Sequence, residues 1–566
     1  MPIIARLTNF FRRLSLSLRI QLDQRYLSVR RPNTVWLPLR GSLPEHEIFR
    51  AGTLGLLPRR RTLLRLLSAL ASLADQSRVT TVVLTIGRLG GGLARVQNLA
   101  DNVRRIRENK IKVIALLEHG ASMREYLIAL QADEIVLPPA QTLELVGLRS
   151  EYLLARGLLD KLAVEPEVLA VGKYKSAGEM LERTQLSDEA REMAEQLVDD
   201  TYDVLCRTLA ERRGIDLERA AELLGNGPYR PQTALESGLI DAVLYPDELR
   251  SRLKGEGSRN IPAPRLLAAL QRPRALRALG SNQRLAIVYA SGQILTRSPG
   301  PLSDPAITPR AFAKIFKALR RDRNVRGVVL RVSSPGGSAT ASDIIWREAQ
   351  LLAEKKPLVA SFGDVAASGG YYIAMGARRI FAEPSSLTGS IGVVGGKLNL
   401  SGLYQKLGIN KELITRGDNA WLYSDFVGLD ERSREKLMEL MRETYRDFVE
   451  KAAQGRGMQY EQIDQLAQGR VYTGSRALEV GLVDELGGLD DAVRHLKGLC
   501  NVPEEQPILI QEFPRPKTVK EMLRLSREDM RLSADLPEFV RRALARLSVF
   551  EHEPVATLCL FEPPEG

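Results

Sequence analysis

The chain is short of histidine, short of cysteine and without a long apolar run, and each shortage closes off a class of function. Only four histidines occur in 566 residues: His46, His119, His495 and His552. None accompanies a serine-bearing motif, so a Ser–His–Asp arrangement has little to be built from. Cys206, Cys500 and Cys559 are far apart. They give neither a metal-ligand spacing nor a redox pair, and an odd, sparse set does not make a disulfide framework. A membrane-spanning helix needs about 20 mostly apolar residues, and no such run is present. Near the N-terminus, Arg12 and Arg13 interrupt the one stretch that resembles the apolar core of a secretory signal. Phe10, Phe11, Leu14, Leu16, Leu18 and Ile20 are mixed with arginines instead. That pattern suits an amphipathic helix on anionic lipid, and equally one packed on its own protein or on a partner subunit. The expected location is cytoplasmic or peripheral to a membrane, with no transmembrane anchor and no signal peptide.

What is present is ordinary globular composition, 44% hydrophobic and 27% charged, which allows large cores. At roughly 100–200 residues per domain the length implies several domains. The formal net charge is +12 with a pI near 9.5. Basic residues cluster at Arg6, Arg12, Arg13 and Arg19, at Arg59–Arg61 and across Arg272–Arg284. No nucleic-acid-binding motif accompanies them, so a solvated basic surface is expected, and contact with a membrane surface before contact with nucleic acid.

The sequence repeats itself. Tyr126-Leu127-Ile128-Ala129 aligns with Tyr371-Tyr372-Ile373-Ala374 at an offset of 245. The same offset pairs Pro139 with Pro384, Gly147 with Gly392, Leu162 with Leu407 and Gly172 with Gly417. Upstream, Val82-Val83-Leu84 matches Val328-Val329-Leu330, and Gly90-Gly91 matches Gly336-Gly337. Downstream, Ala234–Asp241 matches Ala477–Asp484. A repeat this long is a duplicated domain rather than a solenoid. The expected division is a basic N-terminal segment (1–32), a first α/β repeat (33–250), a linker (251–284), a second α/β repeat (285–500) and a C-terminal extension (501–566).

Each repeat reads as strands alternating with helices. The opening strands are Thr34–Gly41 and Leu285–Gly292. Helical stretches follow at Thr62–Ala74 and Pro309–Leu319. Buried β runs come next, Thr80–Ile86 and Val325–Val332, and then short strands at Val113–Leu117 and Pro357–Phe362. Alternation of this kind builds a mostly parallel sheet with right-handed crossovers. In the extension, Asp535–Leu547 reads as a helix capped by Ser533 or Asp535.

Three segments carry chemistry. Ser333-Ser334-Pro335-Gly336-Gly337-Ser338 follows a strand, and paired glycines there let backbone N–H groups approach a ligand. The Gly-x-x-x-x-Gly-Lys-Ser/Thr spacing of a phosphate loop is absent, so an oxyanion site fits better, although Pro-Gly-Gly also makes a plain turn. Ser368 stands in Ala366-Ala367-Ser368-Gly369-Gly370-Tyr371-Tyr372, at a strand-to-helix junction where unpaired N–H groups can hold an oxyanion. As readily, it is only the cap of the next helix. Lys173 and Lys175 lie in Val171-Gly172-Lys173-Tyr174-Lys175-Ser176-Ala177. Loop lysines are usually solvated, but with histidine scarce a buried lysine can act as base, because burial disfavours its charged form. The copies differ in a complementary way: Ser368 aligns with Met123, and Lys175 with Ala420.

The glycine pair, the Ala-Ser-Gly-Gly-Tyr-Tyr segment, Leu387–Gly392 and Tyr174-Lys175-Ser176-Ala177 together resemble the signal peptide peptidase A family in its long, duplicated form, also called protease IV. The resemblance runs from about Val35 to about Val493, and Ala556–Leu560 resembles the family's terminal strand. It implies tandem α/β superhelix domains of the Clp/crotonase-like fold and a Ser/Lys peptidase without cofactor or metal. Carried over by motif, Ser368 would be the nucleophile and Lys175 the general base, with Ser390 orienting the lysine and Lys173 a bystander. Gly337 and Gly369 would supply the oxyanion N–H groups, and Gly336 and Gly370 the adjoining substrate-binding stretch. Hydrophobic peptides such as released signal peptides are the implied substrates, and a homotetramer the implied assembly. The long bacterial form usually carries an N-terminal membrane anchor, which is not recognisable here. Alternatives are an acyl-CoA hydratase or isomerase on the same fold, or a non-catalytic scaffold.

Overall fold

The computed structural model describes residues 2–46, 49–50, 62–74, 78–278, 283–298, 306–504, 506–515, 517–518 and 555–558. The expected helix Asp535–Leu547 lies outside them.

Two mostly parallel sheets form, one per repeat. The first runs, edge to edge, Asn260–Pro262, Thr34–Ser42, Thr81–Gly90, Lys112–Leu117, Glu134–Leu137 and Ala242–Val243. The second runs Leu509–Phe513, Arg284–Ser291, Val325–Ser334 and Leu358–Ala367. There it forks: the first half of Leu358–Ala367 pairs with Arg379–Ala382, and its last residues pair with Leu387–Gly389. The duplicated α/β architecture is therefore as expected. Central strands such as Val82–Leu84 and Val328–Leu330 are fully buried, as continuous apolar runs between helical layers should be. The duplication extends to polar packing. Tyr126 donates to Leu239 O at 2.7 Å and Tyr371 to Leu482 O at 3.0 Å. Asp241 and Asp484 each accept the backbone N–H of the matching strand, at Ile135 and Ile380.

The expected linker 251–284 is not a tether. Asn260–Pro262 closes the first sheet against Thr34–Trp36, and Ala263–Ala278 is a helix. Likewise Leu509–Phe513, expected in the extension, pairs with Arg284–Val288 and closes the second sheet. Short edge strands beside proline carry no periodicity to read, and an edge tolerates the missing N–H of Pro262. The N-terminal segment is a helix, Pro2–Arg30. Its last turns pack on the protein itself: Tyr26 and Leu27 touch the core, Arg265 stacks 3.5 Å from the Tyr26 ring, and Asp23 pairs with Arg272. Leu14, Leu18 and Leu22 are exposed along it. Among the described residues no helix is long and apolar enough to cross a membrane.

A third, antiparallel sheet joins the copies. Glu165–Val171 of the first pairs with Val393–Asn399 of the second, which pairs with Val555–Leu558, which pairs with Gly336–Ser338. A polar seam joins them as well. Arg331, fully buried, makes a two-pronged pair with Glu45 at 2.8 and 3.0 Å. Asp364 accepts the N–H groups of Gly92 and Arg95 at 3.0 and 3.1 Å.

Candidate active site

Ser368 stands at the carboxyl end of the Leu358–Ala367 strand, where open parallel sheets bind ligands. It is not a conventional helix cap. Its side chain makes no capping bond to the helix Gly369–Ala374, and its backbone sits at φ 54°, ψ −118° rather than in the extended region. Its N–H donates to Gly389 O at 2.8 Å. The hydroxyl, fully buried, faces Lys175 Nζ at 2.9 Å.

Lys175 arrives from the other copy. Val171 pairs with Val393, so the chain leaving Val171 and the chain entering Val393 meet at one end of an antiparallel ladder. Four residues beyond Val171 is Lys175; three before Val393 is Ser390. Lys175 Nζ donates to Ser390 O at 2.9 Å and to Ser390 Oγ at 3.0 Å. Lys175 is 5% exposed and Ser390 2%. Ser368, Lys175 and Ser390 are thus one cluster. Lys173 points away, with Nζ 3.9 Å from Glu189 on an exposed side chain. The described histidines are elsewhere: His46 lies against Tyr289, His119 is exposed beside Glu118 and His495 lies against Phe381.

The glycines have local reasons. Gly369 and Gly370 open the helix Gly369–Ala374, whose first N–H groups have no partner within the helix. A Cβ at Gly370 would sit 2.5 Å from Ser334 O, so only glycine brings this turn against the neighbouring strand. Gly336 and Gly337 have φ of 103° and 147°, and a Cβ at Gly337 would stand 2.0 Å from Ile294 O. Gly336 N–H is taken by Ser334 Oγ at 3.2 Å. Both glycine pairs thus lie at the carboxyl ends of adjacent parallel strands.

The matching place in the first copy is filled. At the 245 offset Ser390 corresponds to Leu145, as Ser368 does to Met123; both are buried apolar residues. Gly370 corresponds to Glu125, whose carboxylate accepts Leu89 N–H at 2.7 Å and bonds Ser122. Sequence reasoning passed over Leu145 and Glu125, although the same offset pointed to both. It also passed over Gln468–Arg470, which touch the Lys175 loop and carry no motif.

A buried hydroxyl against an amine, beside the unpaired N–H groups of a helix start, can carry out acyl transfer. Arrangement and fold together define the class as a hydrolase built on two tandem α/β domains. The chain belongs to Peptidase family S49, which matches residues 105–258 and 350–503, two stretches that begin 245 positions apart, the offset of the repeat itself. Similar proteins include Serine protease SPPA, chloroplastic, of Arabidopsis thaliana, 34% identical over 458 residues, or 79% of this chain and 67% of that protein. Protease 4 of Haemophilus influenzae is 30% identical over 473 residues, or 81% of this chain and 75% of that protein. A putative signal peptide peptidase SppA of Enterococcus faecium is 36% identical over 219 residues, 38% of this chain and 64% of that protein. The protein is a serine protease of the S49 family.

Proposed function

We propose that this protease cleaves peptide bonds with Ser368 as nucleophile and Lys175 as general base, acting on hydrophobic peptides such as released signal peptides. The observation that carries the reading is the 2.9 Å approach of Lys175 Nζ to Ser368 Oγ, both buried and contributed by different copies. Neutral Lys175 takes the Ser368 proton as Oγ attacks the scissile carbonyl. The N–H groups of Gly337 and Gly369 receive the oxyanion, each donor worth about 3 kcal/mol. The ammonium of Lys175 then protonates the leaving amine. Water, deprotonated by Lys175, releases the acyl group. Ser390 holds the amine by its two contacts, leaving the lone pair directed at Ser368. The substrate class is supported by the name of the Enterococcus relative and by the resemblance of the motifs.

Peptide hydrolysis by four proteins tests this. Wild type and Lys173→Ala should turn over alike, while Ser368→Ala and Lys175→Ala should be inactive. A serine-reactive phosphonate should label Ser368 in the wild type. Turnover retained by Ser368→Ala sinks the assignment. Assembly as a homotetramer belongs to the same proposal. It draws support from Leu158, Leu162, Leu407, Ile409 and Ile414, exposed on and after two matching helices that touch through Lys406 and Lys161 O. Light scattering of the full chain checks it.

A further inference from the structure

Ser368 and Lys175 are 193 positions apart and belong to different copies, so the lysine-bearing loop needs an anchor on the second copy. The segment Gln468–Arg470 touches that loop and the Ser390 turn at once. Gln468 O accepts Tyr174 N–H at 2.7 Å, and Gln468 Oε1 accepts Lys173 N–H at 3.4 Å. Gly469 N–H donates to Ile391 O at 2.8 Å, and Arg470 O accepts Ser390 N–H at 2.7 Å. One tripeptide therefore sets the height of Lys175 and of the serine that holds its amine. We propose that Gln468 is a positioning residue that latches the Lys175 loop onto the second copy. The inference rests on the reading of Ser368 and Lys175 as the reacting pair.

The local chemistry argues for a built latch rather than a chance contact. Gln468 and Gly469 are consecutive left-handed residues, with φ of 50° and 79°. Glutamine is seldom placed there without a reason. Its amide supplies one, being used at both ends. Oε1 faces Lys173 N–H, while Nε2 donates to Tyr445 OH at 2.9 Å and to Asp464 Oδ1 at 3.0 Å. Tyr445 itself donates to Asp464 Oδ1 at 2.6 Å. The helices Glu431–Arg456 and Tyr460–Leu466 thus fix the side chain, and the side chain fixes the loop. Approach is as close as backbone allows: a Cβ at Gly469 would lie 2.6 Å from Lys175 N, and one at Gly172 would lie 2.6 Å from Gln468 C. Arg470 closes the outer side, its guanidinium 3.9 Å from the Tyr174 ring and paired with Glu192 at 2.5 Å.

The first copy supplies a natural comparison. At the offset that aligns Ala234 with Ala477, Gln468 corresponds to Gly225. That copy has Met123 in place of the serine, and glycine at the position of Gln468.

Asparagine at 468 tests the side chain apart from the backbone, since it tolerates the left-handed region but is too short to span from Lys173 to Tyr445. Tyr445→Phe removes the hydroxyl at the far end and is the second variant. With full-length enzyme and a fluorogenic hydrophobic peptide, Gln468→Asn should lower kcat about ten- to hundredfold, as a misplaced base does. KM should stay within about twofold, because a misplaced base slows the chemical step without removing a ground-state contact. The acidic limb of the kcat/KM profile should move upward by about half a pH unit or more, as a loosened lysine regains water and holds its proton more tightly. Tyr445→Phe should move both quantities the same way by less. Unchanged kcat and pH limb in both variants overturn the proposal. So does a kcat loss that tracks a drop in Tm while the pH limb stays fixed. Ser368→Ala runs alongside: turnover there defeats the serine–lysine reading itself, whereas an inactive Ser368→Ala with wild-type behaviour of Gln468→Asn defeats only the latch.

Discussion

Ser368 and Ser390 share an uncommon backbone, both non-glycine residues at positive φ, 54° and 52°. Such conformations cost on the order of 1–3 kcal/mol and persist where the surroundings over-determine them. Here both N–H groups are held, Ser368 by Gly389 O and Ser390 by Arg470 O, so the strain is fixed by the bonds that aim the two hydroxyls at one amine. Ser390→Ala keeps the backbone and the Ser390 O contact but removes the Oγ contact, and should reduce kcat by about ten- to hundredfold. Ser390→Gly should be at least as impaired yet no less stable, because glycine relieves the positive φ. Parallel kinetics and thermal melts check the pair. Glu383 is a second strained residue of another kind. It is 1% exposed, neither carboxylate oxygen has a hydrogen-bond partner, and a Cβ at Gly488 would come within 2.5 Å of one of them. Burial, helped by Asp101, Asp490 and Asp491 and opposed by Arg331, pushes its pKa well above 4.5. A carboxyl with a raised folded pKa favours the folded state fully below its unfolded value, and that contribution is lost as pH rises through the folded value. Glu383→Gln should therefore stabilise the protein by about 1 kcal/mol or more at pH 8, since an amide has no charge to bury. The gain should shrink toward about pH 3, below the 4.5 of the unfolded carboxyl, where the wild-type side chain is neutral in both states. Urea midpoints at the two pH values measure it, and a gain equal at both would count against the account.

Among elements, the helix Leu93–Glu108 shows how the copies depend on each other. Its cap residue Gly92 has no side chain, and the first turn is satisfied from the other copy by Asp364, which accepts from Gly92 N–H and Arg95 N–H and pairs with the Arg95 guanidinium. Asp364 stands four residues before Ser368 in the same strand region. Asp364→Ala removes a cap and strands a partly buried arginine, a loss of about 3 kcal/mol. Asp364→Asn, which keeps an acceptor, should lose less; chemical denaturation ranks the two. Asp364 also shows where reading the sequence stops. The opening strands, the buried β runs and the helices Leu63–Ala74 and Pro309–Arg321 were legible because their apolar residues recur at the spacing of the element. Ser368, Lys175 and Ser390 were legible because motif and repeat register pointed to them. The cap supplied by Asp364, the Glu45–Arg331 pair, the edge strands Asn260–Pro262 and Leu509–Phe513 and the latch at Gln468 were not. Each depends on a partner more than 200 residues away in the chain, and a long-range partner leaves no local pattern.

For the whole molecule, duplication turns a symmetric pair of units into one asymmetric site. The first copy keeps the lysine and has filled its own pocket with Met123, Leu145 and Glu125; the second keeps the two serines and the glycine pairs. The sheet that joins them, Glu165–Val171 with Val393–Asn399, continues through Val555–Leu558 to Gly336–Ser338. Ala556 is paired on both sides, with Val394 and with Ser338, and Thr557 lies opposite Gly337. An extended substrate reaching Ser368 past Gly337 would add a strand to those same edges, the usual way a peptide docks on exposed sheet backbone. On the proposed reading Val555–Leu558 occupies an edge that a substrate strand would use, and a tethered segment competes at an effective concentration on the order of millimolar. Full-length enzyme and a chain ending at Pro554 should therefore share kcat, with KM several-fold lower in the shorter one. A shorter chain with a higher KM, or with kcat reduced, would make Val555–Leu558 a permanent wall of the site and not a competitor for it.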